Sequence, residues 1–451
     1  MNILTLDLSK NTKKYLSIYK QIKKMILEGS LKSEEKLPSK RSLAANLGVS
    51  LNTIMYSYDL LLKEGYIYSK ERSGFYVSSY FHQNKNLDSH SYISKKEEKK
   101  YLYDFTSSSV DSSVFPSYTF KKIVDKILVN NSNIFLTKSS AQGDEELRKA
   151  ISKYLLENKG INVSIDNIII VSSLEESFEI INKLISIENF LIEDPGYHQV
   201  LKYLDNKVNI SYAPLDKEGI SLSSKPYDLV YVTPYNQFPS GIKMSLKRKN
   251  LLVNSKVKYI FEDDFDCDLI NKTQYVSTIY SLNNYKVFYH GSFSHSLCPG
   301  LRISYLVIPK NLEDKYLTLY KNKSSRISSL DQKIIATFLN EGYYYRHINK
   351  LKKVSLEKKL VIKDYFSTLS NSFYQIEENE LSFFISLKKD YSLPSLKKYL
   401  EDKQIKINFI CDFSSLKNDK RIILNFYSIS KDKIEESLKY LTSTLDNYFK
   451  I

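Results

Sequence analysis

Cysteine is scarce: Cys267, Cys298 and Cys411 are the only three in 451 residues. They lie far apart, no CxxC pair occurs, and an odd count rules out a fully paired disulfide framework. A reducing, cytoplasmic home is expected. Long apolar runs are missing too. Nowhere do eighteen consecutive apolar residues occur, which excludes a membrane-spanning helix. The lysine-rich first thirty residues hold no apolar run of signal-peptide length. The six histidines, at 82, 90, 198, 290, 295 and 347, show no metal-ligand spacing with the cysteines. No internal repeat is visible.

What is present is the composition of a folded protein. Hydrophobic residues make up 42%, charged residues 26% and aromatic residues 13%, ample for a buried core. The length predicts about three structural units. Lys and Arg number 66 against 51 Asp and Glu, a net charge of +15. That balance fits an acidic partner such as nucleic acid, and fits equally a lysine-rich coding bias, because the basic residues are scattered along the chain.

Three parts follow from the pattern. Residues 1–78 alternate short helical segments with a glycine-containing strand pair. Residues 79–103, with the run KKEEKK, lack apolar periodicity and read as a solvated linker. From residue 104 to 451, short apolar runs alternate with helical segments: NIIIV (167–171), NFLIED (189–194), DLVYVT (228–233), KYIFEDD (258–264), KVFYHGSF (286–293) and ISYLVIP (303–309). Strands separated by helices predict a large, mostly parallel α/β lobe over about 104–310. The mainly helical remainder, about 311–451, predicts a small α+β lobe. The acidic stretch Glu262-Asp263-Asp264, Asp266, Asp268 reads as a strand end rather than a cation site.

In the first part, Ile18, Ile22, Met25 and Ile26 share one helical face. Pro38 and Ser39 open a second helix with Leu43, Ala44 and Leu47 on its buried side, and Gly48 ends it. Ser50 caps a third, striped by Ile54, Tyr58, Leu61 and Leu62. Two helices joined by a tight glycine turn make a helix-turn-helix. Residues 65–77 add a strand pair around the basic turn Lys70-Glu71-Arg72-Ser73-Gly74, a wing. Over residues 1–80 there are 13 Lys and Arg against 7 Asp and Glu, so DNA is the expected partner.

The segment LPSKRSLAANLGVSLNTIMYSYDLLLKEGY resembles the winged helix of the GntR family. The resemblance places Ser39, Lys40 and Arg41 against phosphates or base edges. It puts Ser50, Asn52, Thr53 and Tyr56 at the front of the recognition helix, and Arg72, Ser73 and Gly74 at the wing tip. Leu51 stands where that family usually has Arg, so base readout should differ.

The strings EDPGY (193–197), VTPYNQFPSG (232–241), EDDFDCD (262–268), GSFSHSLCPGLR (291–302) and FLNEGYYYRHINKLKK (338–353) resemble the fold-type-I aminotransferase-like domain of MocR/GabR-type regulators. That resemblance implies a pyridoxal phosphate pocket. Asp263 would face the ring nitrogen, Tyr197 would flank the ring, and Ser292, Ser294 and Arg302 would hold the phosphate. Arg421 would grip a substrate carboxylate. The Schiff-base lysine is missing: the family's SFSK reads Ser292-Phe293-Ser294-His295, and imidazole forms no aldimine. Phe265 replaces a tyrosine, the phosphate cup SGAQQ becomes Ser172-Ser173-Leu174-Glu175-Glu176, and GYGDPAG becomes TKSSAQG (137–143).

Together these features predict a homodimeric, cytoplasmic transcriptional regulator that binds double-stranded operator DNA. Its degenerate aminotransferase-like domain would bind an effector, anionic if it engages the arginines, without transamination. Pyridoxal phosphate is implied by the resemblance alone, and not as an internal aldimine. The alternatives are noncovalent sensing of that cofactor, a ligand-independent architectural dimer and, against the evidence of His295, an active aminotransferase.

Overall fold

The computed structural model describes residues 13–79, 100–106, 111–130, 133–136, 138–265, 267–270, 277–294, 296–297, 299–369 and 373–450, with residue 112 described by its backbone alone. The chain divides into two units, Met1–Lys99 and Lys100–Ile451.

The first unit contains α1 (Lys14–Glu28), α2 (Lys40–Leu47), α3 (Leu51–Lys63) and the antiparallel hairpin β1 (Ile67–Lys70) and β2 (Gly74–Val77). Ser39 and Ser50 cap α2 and α3 by accepting from the Ser42 and Thr53 amides, satisfying donors that a helix start leaves open. Gly48 ends α2 with φ +61°, a left-handed turn that a side chain would strain. Ile18, Ile22, Ile26, Leu43, Ile54, Tyr58, Leu61 and Val77 meet in one core.

The second unit opens with β3 (Tyr103–Asp104), which pairs with β14 (Ile405–Lys406) near the other end of the chain. The last residues of the stretch expected to be linker, 100–103, therefore belong to the second unit, whose early strand β3 pairs with its late strand β14. Strands β4 (Ile168–Val171), β5 (Asn189–Asp194), β6 (Asn209–Asp216), β7 (Gly219–Ile220), β8 (Leu229–Val232), β9 (Tyr259–Asp264), β10 (Val287–Ser292) and β11 (Ser304–Val307) form one sheet in the order β4-β11-β10-β9-β8-β5-β6-β7. The neighbours from β10 to β6 run parallel; β11 runs against both β10 and β4, and β7 against β6. The central strands are buried on both faces, which explains their continuous apolar runs.

Helices α4 (Ser117–Asn130), α5 (Glu145–Lys159), α6 (Leu174–Leu184), α7 (Leu246–Val253), α8 (Ile279–Leu282), α9 (Glu313–Tyr320) and α10 (Ser329–Asn340) accompany this lobe. Because α10 packs on α4 and α5, the large lobe extends beyond 310. The long α11 (Tyr343–Thr368) leads to the antiparallel sheet of β12 (Tyr374–Glu378), β13 (Phe383–Leu387), β15 (Asn408–Phe409) and β16 (Ile422–Leu424), with α12 (Leu393–Asp402) and α13 (Lys431–Lys450). The carboxyl ends of β4, β5, β8, β9 and β10 and the start of β11 all lie along one edge, the place where open α/β sheets present ligand sites.

Candidate DNA interface and effector cavity

In the first unit, Arg41, Asn52, Tyr56 and Arg72 are exposed. Among the described residues, neither arginine makes an ion pair. No acidic residue lies in the first turn of α2 or α3, so both helix starts keep their favourable field for an anion. The other expected contacts have internal partners. Ser39 and Ser50 serve as caps, and the Ser50 and Thr53 hydroxyls hydrogen-bond each other at 2.8 Å. Ser73 shares a 2.5 Å hydrogen bond with the Tyr76 hydroxyl, which orders the wing tip beside Gly74, whose φ is +119°. Lys40 departs from expectation: its ammonium pairs with Asp59 at 3.4 Å and lies 5.0 Å over the Phe75 ring. It ties α2 to α3 and the wing instead of projecting freely.

In the second unit, a cavity of about 900 Å³ opens at the carboxyl edge of the sheet, between the lobes. Tyr197, Asp263, Phe265, Ser292, Ser294 and Arg302 all line it. Asp263 is 5% exposed and accepts a hydrogen bond from the buried Tyr231 hydroxyl. Parallel register sets His290 beside it on β10. His290 bonds Ser177 at 3.0 Å, and burial lowers its pKa to about 3, so this ring is neutral. Phe265 joins an aromatic chain across the cleft: Phe238 lies 6.2 Å from Phe265, 5.9 Å from Tyr197 and 4.6 Å from Phe413 of the small lobe. An apolar ring in this chain, not a hydroxyl, suits position 265.

Arg421 is elsewhere. It does not line the cavity; its guanidinium forms a fork on Asp419 at 2.7 Å, bonds Glu377 at 2.7 Å and lies over Phe384. Ile423, two residues on and within β16, does line the cavity. Arg421 lies just ahead of that strand, where Asp419 and Glu377 hold its guanidinium away from the cleft. His295 lies outside the described residues, as do Cys298 and Asp266.

Part of the expected phosphate cup is engaged from within, at Ser172, Ser173 and Glu176. At the start of α6, the Glu176 carboxylate accepts from both the Ser172 amide (2.7 Å) and the Ser172 hydroxyl (2.8 Å), while the Glu176 amide donates to Ser173. The Ser292 hydroxyl accepts from the Ser294 amide and the Ser304 hydroxyl. Glu175 adds an exposed carboxylate to the lining. Arg302, exposed and with φ +48°, is a cation of the lining that makes no ion pair among the described residues. No lysine lines the cavity among the described residues. Pyridoxal phosphate needs an amine for its aldehyde and free donors for its phosphate. These residues do not fit it as an aldimine seated on α6.

Two carboxylates of the acidic stretch share one lysine. The buried Lys159 ammonium lies 3.0 Å from Asp264 and 3.1 Å from Asp268, and the Tyr154 and Tyr344 hydroxyls also donate to Asp268. Among the described residues, no group of His, Cys, Asp and Glu could hold a metal ion. No described helix is long and apolar enough to cross a membrane.

A winged helix-turn-helix joined to a fold-type-I aminotransferase-like unit defines the class. Residues 14–77 match the family of bacterial regulatory proteins called gntR. The chain is 30% identical over 445 residues to YdeL of Bacillus subtilis, described as an uncharacterized HTH-type transcriptional regulator, covering 95% of this chain and 96% of that one. It is 25% identical over 404 residues to MocR of Rhizobium meliloti, a probable rhizopine catabolism regulatory protein, covering 84% and 82%. In fold it is similar to kynurenine aminotransferase of Pyrococcus horikoshii, with a TM-score of 0.68 at 20% identity over 78% of this chain and 93% of that one. The chain belongs to the MocR-type family of GntR transcriptional regulators: it is a DNA-binding regulator with an aminotransferase-like effector domain.

Proposed function

We propose that this regulator acts in the cytoplasm as a homodimer whose aminotransferase-like unit binds a small effector without transamination. Arg41 and Arg72 neutralise phosphates, and Asn52 and Tyr56 meet base edges. Ligand occupancy of the cavity shifts the spacing of the two DNA-binding modules, coupling the sites through their differential affinity for two states. The observation that carries the effector reading is the pairing of a large cavity with a phosphate cup spent on Glu176. A cavity with no lysine among its described lining residues keeps the lobes and cleft of an aminotransferase without the covalent anchor that the reaction requires. Arg302, being unpaired among the described residues, favours an effector with an anionic group, and pyridoxal phosphate held noncovalently is one such molecule.

The test is sedimentation of the full chain with a duplex enriched from a random library. Two chains per duplex are expected, with an affinity that falls as salt rises. A one-to-one complex indifferent to salt would contradict this reading.

A further inference from the structure

Helix α3 turns an unusual face to solvent. Leu51 is 40% exposed, Met55 39% and Tyr56 63%, with Asn52 exposed beside them. The opposite face, Ile54, Ser57, Tyr58 and Leu61, is buried in the module's own core. Residues 51 and 55 lie one turn apart, as do 52 and 56, so the four side chains form one strip over the first two turns. The strip is held in shape: Ser50 caps the helix, and the Tyr56 ring lies 5.9 Å from Tyr15 of α1. Among the described residues, the Asn52 amide and the Tyr56 hydroxyl have no hydrogen-bond partner.

What would such a strip meet? The surround is cationic, with Arg41, Lys70 and Arg72 exposed and no acidic residue in the first turn of α2 or α3. That charge fits a polyanion. In the major groove the thymine C5-methyl is the apolar feature, adenine offers the N6 and N7 pair that suits Asn, and guanine is read chiefly by Arg or Lys. The first eight residues of α3, LNTIMYSY, contain neither Arg nor Lys. Apolar groups beside an asparagine therefore match A·T pairs and mismatch guanine.

We infer that α3 reads thymine methyl groups. Leu51 and Met55 pack on the C5-methyls of thymines while Asn52 bonds the exposed edge of a neighbouring adenine, so each half-site is specified by A·T pairs through apolar contact. This rests on the assignment of the winged helix as the DNA reader.

The experiment uses the full chain and a random duplex library as the probe. The enriched duplex is then remade with uracil replacing thymine, which removes the methyl group and nothing else. Each contacted methyl should be worth about fourfold in affinity, the effect of burying one carbon group, and two symmetric half-sites should multiply it. Leu51→Ala, at an exposed position, should lose its share of the preference for thymine over uracil duplexes. Met55→Ala should remove the remaining sensitivity. Enrichment of a sequence whose affinity ignores uracil overturns the inference and leaves DNA reading intact. Undiminished thymine preference in both variants also overturns it. A library that enriches nothing overturns both the inference and the DNA-reader assignment.

Discussion

The two units treat charge in opposite ways. In the winged helix, Arg41 and Arg72 are exposed and without an ion pair among the described residues, and the first turns of α2 and α3 carry no acid. In the aminotransferase-like unit, several buried ionisable groups are spent on one another. Lys159 lies between Asp264 and Asp268, Lys358 pairs with Asp111 at 3.2 Å, and Glu176 takes the donors of Ser172. On the winged helix, Arg41 and Arg72 stay available to a polyanion although Lys40 is paired with Asp59. The second unit instead pairs part of its buried charge internally, as buried polar atoms generally require.

The sharpest way to break this contrast is to unpair the second unit. Lys159→Met should leave two carboxylates buried without their cation, at about 3–5 kcal/mol. Chemical denaturation should show that unit weakened while the winged helix keeps its own transition. An unchanged midpoint would mean the carboxylates are stabilised without Lys159. In the first unit the effects should fall on binding instead. Asn52→Ala should lose about 1–3 kcal/mol of discrimination between enriched and unrelated duplexes, and equal weakening on both would assign Asn52 to the backbone. Arg41→Ala should lower affinity on all sequences and reduce the salt slope by about 0.9 for the lost phosphate contact. An unaltered slope in a folded variant would remove Arg41 from the interface.

A further expected effect concerns pH. Burial pushes both Glu193 and Glu262 up to about 7. A carboxyl whose folded value exceeds its unfolded one binds protons more tightly in the native state. Its stabilisation is complete below the ordinary glutamate range and is lost as pH rises through about 7. Glu193→Gln should therefore flatten the decline in stability between pH 5 and pH 8, leaving the part that Glu262 supplies. An identical pH profile for the variant would show that Glu193 does not titrate in this window.

The winged helix was legible because its signals are local: Ser39 and Ser50 before apolar stripes, Gly48 between them, and a glycine wing. The sheet was legible from runs such as NIIIV and KYIFEDD, whose burial on both faces suppresses alternation. The strand β6, NISYAPLD, gave no such signal, since its exposed and half-buried residues and Pro214 mimic a loop. Which side chains converge on the cavity depended on register. The pairing of β9 with β10 brings His290 beside Asp263, and Arg421, just ahead of β16, is drawn off the cavity by Asp419 and Glu377 while Ile423 lines it. The cap of Ser173 on the Glu176 amide was implicit in the Ser-x-x-Glu spacing of residues 173–176, a pattern that closes a helix start, with the Glu176 carboxylate reaching one residue further back to Ser172.

The central claim is that the cleft kept its shape and lost its covalent chemistry. Its most direct test is the absorbance of the purified full chain with added pyridoxal phosphate, before and after borohydride. The account predicts the spectrum of the free aldehyde alone, with no cofactor fixed to the protein after reduction and denaturation. A visible aldimine band, bleached by borohydride and leaving pyridoxyl bound to a lysine of the cleft, would contradict it.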